Sequence, residues 1–150
     1  MTIDFRKIHG AANDFVVVDG RPVSDGGAGQ RDWSEFAIRA CDRRRGVGGD
    51  GLLALELPDG PGADFRMRYH NADGSVAEMC GNGIRCLARF ALEVGATGKR
   101  NLTWETGAGL LRTEVLEHGD RKSTVRVNMG PPRLTPAEVP VVGSGEMVRE

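Results

Sequence analysis

The chain has 150 residues, 39% of them hydrophobic and 27% charged, with a formal net charge of −1. That size fits one domain, or one domain and the start of another, with enough apolar residues to build a core. A charge so near neutrality gives no reason to expect nucleic acid or a membrane surface as partner, and no stretch approaches the roughly 20 apolar residues of a membrane span.

The opening residues MTIDFRKIH are charged and alternating, unlike the apolar run of a signal peptide, so a cytoplasmic protein is expected. Strands are predicted over 3–8 and 14–18, joined at residues 9–13 (HGAAN). The Gly-rich stretch 24–30 reads as a loop. Asp32 and Glu35 have capping-box spacing, and Phe36, Ile38 and Ala40 follow, so a helix begins there. It is expected to end in the basic run 42–45, where cations suit a helix C-terminus, with Gly46 as the stop. Strands over 52–57 and 64–70 flank the turn signal PDGPG at 58–62, and residues 71–75 (NADGS) form another turn. A second helix is predicted over 81–94. Its polar residues Arg85, Arg89 and Glu93 fall four apart on one stripe and the rest is apolar, which predicts a buried helix at the centre of the domain with strands wrapped around it. Strands over 101–106, 109–117 and 123–128 follow, with a hairpin turn at 118–120. Pro131 and Pro132 break the pattern, and 135–150 shows no strong period. Many strands, mostly in hairpins, with two helices make an α+β domain rather than a doubly wound one.

The three cysteines, Cys41, Cys80 and Cys86, are odd in number and lack zinc-ligand spacing, so neither a disulfide framework nor a metal site is expected. Cys80 differs from the other two in its surroundings. It stands between a polar turn and the apolar helix, in the run Met79-Cys80-Gly81-Asn82-Gly83. A thiol at a helix N-terminus meets free N–H groups and the positive end of the helix dipole, which favour a thiolate. Gly81 and Gly83 let a ligand approach the backbone, and the same N–H groups could hold a carboxylate. On spacing alone, a reactive thiol and a small buried hydrophobe stay equally open for Cys80. Cys41 and Cys86 read as core residues. His9 reads as a loop-shaping residue and His70 and His118 as polar surface. Arg43 to Arg45 read as a capped helix end, Trp33 and Trp104 as packing residues, and Asp73 as a turn former.

The segment HNADGSVAEMCGNGIRCLARF is similar to the signature around the first active-site cysteine of diaminopimelate epimerases. Three further segments resemble the same family in the same order. HGAANDF resembles its HGxGNDF opening, RRGVGGD its RxGxGxD loop, and VRVNMG the strand at which its second domain begins. The resemblance implies a diaminopimelate-epimerase-like α+β domain over 1–118 and the start of a second, similar domain over 119–150. It implies cofactor-independent interconversion of LL- and meso-2,6-diaminopimelate by two cysteines, in lysine and peptidoglycan precursor biosynthesis. Cys80 would be one of the pair. Asn13 and Asn71 would bind polar groups of the substrate, and Gly81 and Asn82 would present N–H groups to its α-carboxylate. No cofactor or metal is implied, and the complete protein would be a homodimer. The family's second cysteine lies in another Cys-Gly element that these residues lack, so the chain reads as about half the expected length and as inactive alone. Two departures stand out: Ala12 replaces the usual Gly before the Asn, and Gly51 stands where many members carry a substrate-contacting Gln. The competing readings are a proline- or hydroxyproline-racemase-like isomerase, whose relatives usually carry His where Asn82 stands, and a non-catalytic half-domain that binds a partner.

Overall fold

The computed structural model describes residues 3–21, 32–136 and 139. The expected loop over 24–30 and nearly all of the tail beyond 136 lie outside the described residues. The described part forms seven strands and two helices: β1 (Phe5–Gly10), β2 (Asn13–Asp19), α1 (Trp33–Cys41), β3 (Gly51–Glu56), β4 (Phe65–Asn71), α2 (Gly81–Glu93), β5 (Asn101–Thr106), β6 (Gly109–His118) and β7 (Ser123–Asn128). All strands join one mixed sheet whose spatial order is the chain order. Four neighbouring pairs are antiparallel hairpins. The pairs β2–β3 and β4–β5 are parallel, and α1 and α2 are their crossovers. A parallel step needs such a connection because the chain must return to the same end of the sheet.

The first hairpin turns in two residues, with Gly10 paired to Asn13. Ala11 and Ala12 both have positive φ, at 52° and 65°. A two-residue hairpin of this hand suits strand twist but strains a residue with a Cβ, which is why Gly and Asn prevail in such turns. Ala12→Gly is therefore expected to stabilise the chain by about 1 kcal/mol, less the entropy that glycine adds to the unfolded state. Urea denaturation measures it, and a lower midpoint in the variant would show that the turn carries no strain.

Alternation divides the residues of β2 to β4 between two faces. Val16, Val18, Leu52 and Ala54 face α1 and pack with Trp33, Ala37 and Cys41. Asp32 caps α1 as expected, accepting from the backbone N–H groups of Ser34 and Glu35, a contact type worth about 1 kcal/mol. The basic run does not extend the helix. Asp42 follows Cys41 in a non-helical conformation and accepts the N–H groups of Arg44 and Arg45, which turns the chain away. The helix thus ends at the first residue of the expected run, with Asp42 as its C-cap, and Arg43 to Arg45 lie beyond it. Gly46 sits where an added Cβ would lie 2.2 Å from the Arg39 carbonyl, so only glycine lets this turn fold back on α1.

The opposite face carries Phe15, Val17, Leu53, Leu55, Phe65 and Met67, packed with Ile84, Leu87, Phe90 and Ala91 of α2. Helix α2 touches both edge strands. The Arg6 guanidinium meets Glu93 at 2.9 Å, and Arg89 donates to the Ser123 hydroxyl at 3.1 Å. Six strand spacings would set β1 and β7 about 29 Å apart in a flat sheet, far wider than the roughly 10–12 Å of a helix. The sheet is therefore curled into a half-barrel with α2 in its hollow. Glu93 is exposed and Arg85 and Leu92 are half-buried, so α2 is cupped by the strands rather than enclosed by them.

Candidate active site

Residues 72–80 lead from β4 into α2 and are pinned on both sides. Ala77 donates its N–H to the Tyr69 carbonyl, and Gly107 donates to the Glu78 carbonyl at 2.9 Å. A Cβ at Gly107 would stand 2.8 Å from the Glu78 Cα, so the close approach of that turn requires glycine. Cys80 is thereby delivered as the N-cap of α2, with extended backbone (φ −143°, ψ 119°). Its Sγ accepts the N–H of Gly83 at 3.4 Å, taking the place of a capping oxygen. Gly83 is buried against Met67 and Leu53, which holds the first turn of the helix close to the sheet. The methionine Met129, after β7, lies beside Gly81 and is half exposed.

A chain of side-chain amides reaches Cys80 from β2. Asn13 Oδ1 lies 3.6 Å from the Cys80 Sγ and accepts from Asn82 Nδ2 at 3.4 Å. The other end of the Asn13 amide donates to Asp50 at 2.7 Å. Asn82 Oδ1 in turn accepts from the Arg85 guanidinium. Thus Asn13, Cys80 and Asn82, three of the residues marked by the sequence, meet in one hydrogen-bonded group, and Gly81 lies between two of them. All four are half-buried.

Asn71, at the end of β4, is not bonded into this group. Its Nδ2 donates to the Ser75 hydroxyl at 2.9 Å, and its backbone closes the turn through Ser75 and Gly74. It pairs with Gly51 on the α2 face of the sheet. A Cβ at Gly51 would stand 2.6 Å from both the His70 carbonyl and the Tyr69 ring, so the missing side chain at 51 follows from the position of Tyr69. Burial pushes the Tyr69 phenol up from its ordinary value. Asp73 shapes the turn by accepting from the Ser75 N–H, as expected. His70 corrects the reading as surface: it is 6% exposed, and its Nδ1 stands 3.1 Å from the Gly74 carbonyl. The strand ends one residue later than expected, at Asn71, and the turn that follows it folds back over His70. His118 is exposed, as expected.

The remaining cysteines cannot share the site. Cys41 lies on the α1 side of the sheet, and burial pushes its thiol up. Cys86 points into the main core, and burial pushes its thiol up to about 11. Among the described residues, no three His, Cys, Asp or Glu side chains converge as a metal site, and no helix is long and apolar enough to cross a membrane.

Behind the amide chain lies a charged group whose partners the sequence did not reveal. Arg43 pairs with Asp14 at 2.6 Å and with Asp50 at 2.9 Å, and Lys7 pairs with Asp14 at 2.6 Å. Hydrogen bonds from Arg43 and Lys7 hold the Asp14 carboxyl well below the usual carboxylate range. Asp50 is held low first by Asn13, then by the Asp14 N–H and Arg43. Depressed folded-state values stabilise the fold above the unfolded value, near pH 4, and that stability is lost as the pH falls through the folded values. The urea midpoint is expected to decline below about pH 4, and Arg43→Gln should flatten the decline. An equally steep decline in that variant would remove Arg43 as its source. The signal for Asp50 was present in the RRGVGGD segment, but its spacing does not say which residue the carboxylate meets.

A family model described as diaminopimelate epimerase matches residues 5–135. The chain is 51% identical over 152 residues to the diaminopimelate epimerase of Desulforudis audaxviator (strain MP104C), covering 99% of this chain and 51% of that protein. It is 46% identical over 144 residues to the diaminopimelate epimerase of Heliobacterium modesticaldum (strain ATCC 51547 / Ice1), covering 94% and 49%. The chain thus spans about half the length of the curated relatives it matches. Among solved structures, a probable proline racemase from Agrobacterium radiobacter K84 superposes with a TM-score of 0.66 at 21% identity, covering 85% of this chain and 42% of that one. A methylitaconate-delta-isomerase superposes with a TM-score of 0.63 at 17% identity, covering 82% and 36%. At those identities the likeness is one of fold.

Proposed function

The chain belongs to the diaminopimelate epimerase family, and from that premise we propose that it supplies one wall of the active site of an enzyme interconverting LL- and meso-2,6-diaminopimelate. The observation that carries the reading is the double environment of the Cys80 sulfur. The Gly83 N–H donates to it, and the Asn13 carbonyl oxygen stands ready to accept from it. A thiolate is served by the first contact and a thiol by the second. A group that must give up a proton in one direction of reaction and take it in the other needs both.

In the proposed step, the Cys80 thiolate removes the α-hydrogen. The S–H bond forms, the C–H bond breaks, and the electron pair passes into the carboxylate-stabilised carbanion. A second thiol then delivers a proton to the opposite face. The N–H groups of Gly81 and Asn82, at the positive end of α2, would hold the α-carboxylate as its charge grows. Asn13 and Asn71 would bind the substrate's other polar groups. No cofactor is required by this scheme.

Cys41 and Cys86 face two different cores, so the second thiol is proposed to come from beyond these 150 residues. We further propose that residues 1–118 form the first domain, that 119–150 begin the second, and that α2 becomes the enclosed central helix in the complete protein. The complete protein is proposed to be a cytoplasmic homodimer.

Proton NMR of diaminopimelate in D2O tests the reading. The complete protein is expected to exchange the α-hydrogen and to interconvert the isomers without pyridoxal phosphate. Residues 1–150 alone are expected to do neither. Steady exchange by the 150-residue chain would show that one thiol suffices. No exchange by the complete protein would remove the assignment altogether.

A further inference from the structure

We infer that Asp50 is a positioning residue for the site, acting through Asn13 to fix which end of that amide faces Cys80. An ionised carboxylate only accepts hydrogen bonds. One Asp50 oxygen accepts from Asn13 Nδ2 at 2.7 Å and from the Asp14 N–H at 3.1 Å, and the other accepts from Arg43 at 2.9 Å. The NH2 end of Asn13 must therefore point to Asp50, and the carbonyl end is left facing the Cys80 sulfur and Asn82.

The far end of the chain favours the same direction, though at 3.4 Å it holds Asn13 less firmly than Asp50 does at 2.7 Å. A guanidinium only donates, so Arg85 claims the Asn82 oxygen and turns the Asn82 NH2 toward Asn13. Two amides are strung head to tail between a carboxylate and a guanidinium, each polarising the next. Reversing Asn13 alone would set its NH2 against that of Asn82 and its oxygen against Asp50. With the orientation held, the group offered to Cys80 is an acceptor for its S–H. A freed Asn13 could instead offer its NH2, a donor for the thiolate.

Asp50 also ties strand ends together, since its N–H donates to the Asp14 carbonyl and its own carbonyl accepts from Ala72. The test must separate positioning from that support and from the bare charge. The inference rests on the reading of Cys80 as the site thiol, so the wild-type chain is treated first with iodoacetamide at pH 7 and mapped by mass spectrometry. Labelling of Cys80 ahead of Cys41 and Cys86 is the expected pattern; its failure would count against the thiol assignment itself.

In folded variants of residues 1–150, Asp50→Ala is expected to raise the Cys80 labelling rate roughly fivefold, about one hydrogen bond's worth. Asp50→Asn loses the same charge but keeps an oxygen for Asn13 and Asp14, and should stay within about twofold of wild type. In an Asn13→Ala background, Asp50→Ala should add nothing further. Equal increases in the Ala and Asn variants, or the same increment without Asn13, would overturn the inference. The wild-type chain gives a second measurement if a variant does not fold. During acid titration the Asn13 side-chain NH2 resonances should move together with the Asp50 carboxyl carbon. Asn13 resonances that stay fixed while Asp50 titrates would also overturn it.

Discussion

Cys80→Ala in the complete protein is expected to reduce epimerisation of diaminopimelate about 10⁴-fold, the upper end for loss of a general acid–base group. The effect should fall on kcat more than on KM, because the proposed substrate contacts, Asn13, Asn71 and the helix N-terminus, would remain. Cys80→Ser should be nearly as poor, since a hydroxyl yields far less anion at neutral pH than a thiol. Both variants are expected to fold normally. The side chain is half-buried, and its capping contact with Gly83 is made by sulfur, a weak acceptor. Serine, a preferred N-cap, should even hold the helix slightly better. Steady-state kinetics with a circular-dichroism melt separates the two effects. An alanine variant that retains turnover within tenfold of wild type, with its fold intact, would eliminate Cys80 as a proton-transfer group.

Trp104→Ala is the substitution expected to do most damage to the fold. Trp104 is completely buried, its ring lies 5.7 Å from that of Phe65, and its indole N–H donates to the Thr113 hydroxyl at 2.8 Å. Removing it should cost about 3–5 kcal/mol in lost burial and cavity. Thr113 is itself buried and would lose its partner, at a further cost of about 1–3 kcal/mol. Together these rival the roughly 5–15 kcal/mol that holds a domain of ordinary stability together. Trp104→Phe keeps most of the ring and should lose much less. Urea denaturation of the pair measures both. A loss under about 1 kcal/mol for alanine would mean that β4 to β6 close over the gap, contrary to the close packing of cores.

Several parts of the fold were legible because their causes are local. The alternation in residues 101–106 and 123–128 marks β5 and β7 to the residue, since a strand half-buried on one face must alternate. Asp32 caps α1 because a side chain two or three residues before an N–H can reach it without help from the rest of the chain. Cys80 was placed at a helix start by the glycines around it and the apolar helix behind it, and it stands there. The resemblance of four short segments pointed to the family to which the chain belongs.

Tertiary structure alone decided which of those pieces meet. The three arginines 43–45 look alike in sequence, yet only Arg43 turns back to Asp14 and Asp50, because Asp42 ends α1 and redirects the chain. His70 became buried because β4 carries the next turn over it. The parallel pairings of β2 with β3 and β4 with β5 put the loops of several elements at one end of the sheet. They bring Asn13 to Asp50 across 37 residues and to Cys80 across 67. Local periodicity sets where a strand or helix begins, since its energy lies among near neighbours. Contacts at such separations become favourable only after the chain has closed long loops and curled the sheet, so no short pattern records them.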